Sequence, residues 1–130
     1  MVWDETIFED RARARLACDL VGYAYAEDPE SLKNAPTRGR AQEALRRHMA
    51  IYLCHVGFSM SLGRLGAAFG RDRATISYAI RRIEDMRDDH QIDVVLDALE
   101  RVMRAAPPPF AGIRDAECAD KAPLRRASRA

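Results

Sequence analysis

At 130 residues and 14.6 kDa, with 48% hydrophobic and 32% charged residues, the chain holds one domain with tails and has no room for two large folding units. That balance excludes a wholly disordered, collagen-like or low-complexity chain. The net charge of +1 conceals a segregation: residues 1–35 sum to −4, 36–87 to +6, 88–106 to −3 and the remainder to +2. A basic middle between acidic flanks suits a polyanion-binding surface, although a solvated helix face gives the same charge run. Lys33 and Lys121 are the only lysines, so nearly all the basicity is arginine. Apolar stretches such as Met49 to Cys54 fall far short of the roughly 20 residues that cross a bilayer, and the acidic start MVWDETIFED is not a secretory signal. A cytoplasmic location is the expectation. Cys18, Cys54 and Cys118 are odd in number and form no C-x-x-C pair, which suits reduced thiols.

The periodicity is helical throughout, so the fold class expected is all-α, a small helical bundle. A first helix fits Asp4 to about Ala26, with Ile7, Phe8, Ala12, the Arg15 stem, Leu16, Leu20 and Tyr23 on one stripe. Asp28-Pro29-Glu30 opens a single turn through Lys33, and Asn34-Ala35-Pro36-Thr37 breaks the chain. A second long helix is expected over Arg38 to Val56, with Leu45, Met49, Tyr52, Leu53 and Val56 inward and Gly57 closing it. Ser61 then caps a short helix that ends at Gly70, and Leu62, Leu65, Ala68 and Phe69 face inward. Asp72 caps the next, which runs to about Asp88. Ile76, Ala79, Ile80, Ile83 and Met86 point into the core, leaving Arg73, Thr75, Ser77, Tyr78, Arg81 and Arg82 outward. Asp89 or His90 opens a last helix through Arg104, which Ala106-Pro107-Pro108-Pro109 ends. Three parts follow: residues 1–35 as a helix and short turn packed on the bundle, 36–105 as the main domain, and 106–130 as a disordered tail rich in proline, alanine and arginine.

Two short helices joined at Gly70, the second presenting cationic side chains in its first turn, make a helix-turn-helix pattern. The first helix braces the second so that its N-terminus enters a major groove and side chains there reach base edges. The residues around it go further than the pattern. Met49-Ala50-Ile51-Tyr52-Leu53, Leu65-Gly66-Ala67-Ala68-Phe69-Gly70, Arg71-Asp72-Arg73-Ala74-Thr75-Ile76 and Arg81-Arg82-Ile83-Glu84 closely resemble the C-terminal DNA-binding domain (domain IV) of the bacterial chromosomal replication initiator DnaA. The resemblance covers about residues 36 to 104. It implies a Trp-repressor-like bundle that binds double-stranded DNA, with an added N-terminal helix.

The resemblance also implies roles. Asp72, Arg73, Ala74 and Thr75 stand at base-reading positions: the aspartate accepts from a cytosine amino group and the threonine methyl meets a thymine. The family has one more glycine in the turn, and histidine and threonine where Arg73 and Ala74 stand here, so an arginine's preference for guanine shifts the expected site. Arg71, Arg81 and Arg82 are expected on phosphates, with Ser61 and Ser77 beside them, and Arg38, Arg40, Arg46 and Arg47 in the basic region that the family directs to the backbone or the minor groove. Leu45 falls where the family's groove arginine would align. Plainer readings stand beside these: Arg81 with Glu84 and Arg82 with Asp85 as solvated ion pairs, Tyr78 packed on the long helix, Ser61 as a cap alone, Tyr52 and Phe58 as core.

His48, Cys54 and His55 invite a metal, but the histidines are seven apart without a second ligand pair, so neither metal nor cofactor is expected. The acid pairs Asp88, Asp89 and Glu9, Asp10 read as solvated helix ends, and no catalytic set forms a recognisable motif. The chain holds no G-x-x-x-x-G-K phosphate loop, so a DNA reader without ATPase activity is expected. It would regulate transcription or replication initiation, with the initiator itself or another protein as a partner through the N-terminal helix. A monomer is favoured over a pair of copies. The rival reading is a protein-interaction module, or a non-specific nucleoid binder, that keeps the fold without base readout.

Overall fold

Five helices, and no strand, make up the residues that the computed structural model describes, 5–26 and 36–109, with side chains for 6–26 and 41–109. They are α1 (Glu5–Tyr25), α2 (Pro36–Gly57), α3 (Leu62–Phe69), α4 (Arg73–Met86) and α5 (His90–Ala105). The short turn expected over Asp28 to Lys33, and all of the tail beyond Pro109, lie outside the described residues. Helix α2 begins two residues before Arg38, because proline's fixed φ suits a helix's first turn rather than breaking the chain there.

The core is organised around α2. Met49, Ala50, Ile51, Leu53 and Cys54 are all buried, so the helix is enclosed on every side at mid-length instead of on the single stripe that periodicity suggested. The cause is that α1 covers one face of α2 while α4 and α5 cover the others. The Cys54 thiol donates to the Arg13 carbonyl at 3.7 Å, and burial pushes its pKa up to about 12. On the far side, a Cβ on Gly57 would lie 3.2 Å from the Met103 Cβ, so the missing side chain lets α5 approach α2 closely.

The face that α1 buries is not the one expected. Asp10, Ala14, Ala17 and Val21 turn inward, while Phe8, Ala12, Arg15 and Tyr23 are exposed, Tyr23 to 83%. Small alanines let α1 lie close on α2, which bulky Leu16 and Leu20 would not, and these two flank the contact half-buried. The reading of Asp10 as a solvated helix end is likewise corrected. Its carboxylate is 2% exposed and accepts from Arg13 Nη1 at 2.9 Å, Arg64 Nε at 2.9 Å and Arg64 Nη2 at 2.7 Å. A buried carboxylate requires such neutralisation, and the two-pronged grip of Arg64 ties α1 to α3.

The turn between α3 and α4 is specified residue by residue. Ser61 caps α3 by accepting from the Arg64 amide at 3.2 Å, and Gly70 ends it at φ 66°, the left-handed region that glycine enters freely. Gly66 is needed for a different reason: a Cβ there would sit 2.8 Å from the Arg71 carbonyl oxygen, which folds back over α3. The other end of α4 is held by Arg87. Its guanidinium donates to Asp93 Oδ1 at 2.6 Å, the Tyr52 hydroxyl at 3.0 Å and Glu100 Oε1 at 3.4 Å, and it lies over the Tyr52 ring. Burial opposes its charge, but the bonds to Asp93 and Tyr52 outweigh this and raise its pKa further. Asp89 caps α5 by accepting from the Gln91 and Ile92 amides. Among the described residues no helix is long and apolar enough to cross a membrane.

Candidate nucleic-acid interface

Helix α4 starts in the open. Asp72 accepts from the Thr75 amide at 2.8 Å, and the hydrogen bonds of Thr75, side chain first and then backbone, hold its carboxyl below the usual carboxylate range. Arg73 and Ala74 are exposed in the same first turn and Thr75 is half-buried, so the four sequence-predicted base-reading residues share one accessible helix end. Its backbone N–H groups and helix dipole favour an anion there.

The cationic residues beside it come from three elements. Arg71 is exposed in the turn, Arg81 is exposed and Arg82 half-buried on α4, and Arg47 is half-buried on α2. All but Arg81 bear on one ring, that of His48 on α2, which is 8% exposed. Burial, then the charges of Arg82, Arg47 and Arg71, lower its pKa, so the imidazole is held neutral. Arg82 Nη1 lies 3.0 Å from His48 Nδ1, and Tyr78 stands edge-on to the ring with centroids 5.7 Å apart at 84°.

Several sequence expectations are thereby decided. Arg82 is tied to His48 rather than to Asp85, and no Arg81–Glu84 pair forms among the described residues. Tyr78 packs on the long helix through His48 while remaining 54% exposed. Tyr52 is buried and Phe58 packs against the core with Arg13 over its ring. Leu45 is half-buried against the core, so that position offers no cation to a groove. Ser61 is occupied as a cap, Ser77 is half-buried, and Arg46, like Arg47, is half-buried on α2 with its charge bearing on Cys18 of α1. The side chains of Arg38 and Arg40 lie outside the described residues.

Sequence reasoning weighed His48 only as a metal ligand. Its position immediately before buried Met49, between the stripe and the basic face, was the available signal for a residue that joins core to surface. The residues weighed with it are otherwise engaged: the His55 Nδ1–H donates to the Met60 carbonyl at 3.0 Å, and Cys54 is buried. No group of three or more His, Cys, Asp or Glu that could hold a metal gathers among the described residues.

A short helix, a glycine turn and a second helix with an exposed first turn and unpaired arginines before and along it define a helix-turn-helix protein of the DNA-binding class. The family described as the bacterial dnaA protein helix-turn-helix matches residues 19–83, half of the chain, and the chain belongs to that family. The match begins within α1 and ends at Ile83 on α4, leaving α5 outside. Among the relatives, the chromosomal replication initiator protein DnaA of Tropheryma whipplei (strain Twist) is 48% identical over 46 residues, 35% of this chain and 10% of that protein. Those of Jannaschia sp. (strain CCS1) and Corynebacterium jeikeium (strain K411) are 43% identical over 61 residues and 39% over 56, covering 45% and 42% of this chain and 13% and 10% of theirs. The match thus spans about a tenth of these relatives' length. No solved structure is a significant match.

Proposed function

We propose that the chain is a sequence-specific double-stranded DNA-binding protein that regulates transcription or replication initiation at sites akin to those of the initiator, without ATPase activity of its own. The observation that supports this most is the unpaired cationic charge along α4, in the turn before it and on the neighbouring α2. Among the described residues Arg47, Arg71, Arg73, Arg81 and Arg82 form no ion pair with an acid, although Arg71 and Arg73 flank the start of α4, Arg81 and Arg82 follow two turns along it, and Arg47, Arg71 and Arg82 all bear on His48. Unpaired guanidiniums on neighbouring elements favour a polyanion, and a DNA backbone offers phosphates to several of them at once.

In this reading Asp72, Arg73, Ala74 and Thr75 face the major groove. Asp72 would accept from a cytosine amino group, Arg73 would donate to guanine N7 and O6, and the Thr75 methyl would meet a thymine. Arg47, Arg71, Arg81 and Arg82 take phosphates, with Ser61, Ser77, Arg38, Arg40 and Arg46 as further backbone or minor-groove contacts. Residues 36–105 carry the reader, α1 braces it, and the protein acts as a monomer in the cytoplasm on the nucleoid. The initiator, or another protein meeting α1, is the proposed protein partner.

Selection from a random duplex pool at about 0.15 M salt tests the reading, followed by the affinity of the enriched site for the wild type and for Arg73→Ala. One short enriched motif, relaxed at a single position by Arg73→Ala, is the expected result. A second reading, a protein-interaction module without base readout, draws on half-buried Leu45 at the groove position and on the shortened turn. It predicts that nothing enriches and that neither Arg73→Ala nor Thr75→Ala has any effect on duplex binding.

A further inference from the structure

Arg82 differs from the other arginines around α4 in being already anchored. Its Nη1 meets His48 Nδ1 at 3.0 Å, and because a guanidinium only donates, that imidazole nitrogen must present its lone pair. His48 is therefore neutral, with its proton on Nε2. Tyr78, one turn before Arg82 on α4, packs on the same ring in a T-shaped contact. Arg47 and Arg71 approach from α2 and from the turn, so the charges of all three arginines bear on this one uncharged ring. A cationic residue at position 48 would repel all three, and an apolar one would leave Arg82 without a fixed direction.

We propose that His48 is a positioning residue for DNA-backbone contact: as a neutral acceptor on α2 it holds one nitrogen of Arg82 and thereby aims the remaining donors of that guanidinium at a phosphate between α2 and α4. The proposal rests on the DNA-binding reading above. An arginine fixed before the encounter loses less rotamer freedom on meeting the phosphate than a free one does. Thr75, Tyr78 and Arg82 share one face of α4 at three- and four-residue steps, so the anchored arginine also sets the register at which Thr75 meets the groove.

The test is a salt titration of binding to a mixed-sequence duplex of about 20 base pairs, since phosphate contact is independent of sequence. Arg82→Ala should make the slope of log K against log salt shallower by about 0.9. His48→Leu should weaken binding about fivefold, the double variant should be no weaker than Arg82→Ala alone, and His48→Gln, whose amide oxygen also accepts, should restore most of the loss. A merely structural role for His48 predicts losses that multiply in the double variant and no rescue by Gln, and either result overturns the proposal. So does an unchanged slope in Arg82→Ala. Nitrogen-15 spectra of the unliganded wild type give a readout that does not depend on any variant folding: an unprotonated Nδ1 is expected, and a protonated one overturns the proposal. If the wild type shows no salt-sensitive duplex binding at all, the DNA-binding reading itself fails; if it binds and only the cycle disagrees, the reading stands and His48 is not its positioning residue.

Discussion

Arginine plays opposite parts in two regions of this molecule. Arg87 and Arg104 each reach a carboxylate of α5 where it meets the ends of α4 and α2, Arg101 pairs with Asp97 on the exposed face of α5, and Arg64 grips buried Asp10. Along α4 and beside its start, Arg47, Arg71, Arg73, Arg81 and Arg82 form no ion pair with an acid among the described residues. The same side chain thus serves as a partner to carboxylates in one region and as an unspent cation in the other. Net charge by segment blurs this division, because the basic middle of the sequence includes Arg64 and Arg87, which are already neutralised. Exposed Arg11 and Arg15 on α1 also lack acidic partners among the described residues, yet they fall in the acidic N-terminal segment.

The division makes predictions of graded size. Arg87→Ala removes the donors shared by Asp93, Tyr52 and Glu100, and should lower unfolding free energy in denaturant by about 3 kcal/mol, as breaking a partly buried charged network does. An unchanged midpoint would show that the tie is ornamental. Gly66→Ala forces a Cβ to 2.8 Å from the Arg71 carbonyl and should cost about 2 kcal/mol, weakening duplex binding because the turn that sets α4 must shift. If stability falls but affinity holds, the turn does not position the interface. Arg71→Ala and Arg81→Ala should each change stability by less than about 0.5 kcal/mol while weakening binding to every duplex sequence alike.

The smallest effect concerns pH. Burial and the neighbouring arginines lower the His48 pKa in the folded protein, so folding favours the neutral ring. A depressed histidine contributes fully above its unfolded value of 6.5 and progressively less as pH falls from there toward the folded value, where the unfolded chain binds more protons. The melting temperature of the wild type should therefore drop more than that of His48→Gln between about pH 7.5 and 5. Equal drops would remove His48 from the account.

Helix boundaries and the turn were legible in the sequence because they rest on local chemistry: Ser61, Gly70, Asp72 and Asp89 act within a few residues of themselves. What lay hidden was set by partners far along the chain. Periodicity alone places Tyr23 inward and Asp10 outward on α1; only Arg64, 54 residues away, makes a buried Asp10 tolerable, and only the alanines at 14 and 17 make the close approach to α2 favourable. The exposed first turn of α4 followed from its amphipathic pattern. The anchoring of Arg82 did not, because His48 belongs to another helix, 34 residues away, and its neutrality comes from burial that no local pattern reveals.

The central claim is that the arginines around α4, and not those tied to acids, meet a polyanion. Its most direct test compares the salt dependence of duplex binding for the wild type, for Arg71→Ala with Arg81→Ala, and for Arg101→Ala with Arg104→Ala. The account predicts a wild-type slope near −4, a slope shallower by about 1.8 for the first pair of substitutions, and no change for the second. Equal losses from both pairs, or none from either, would contradict it.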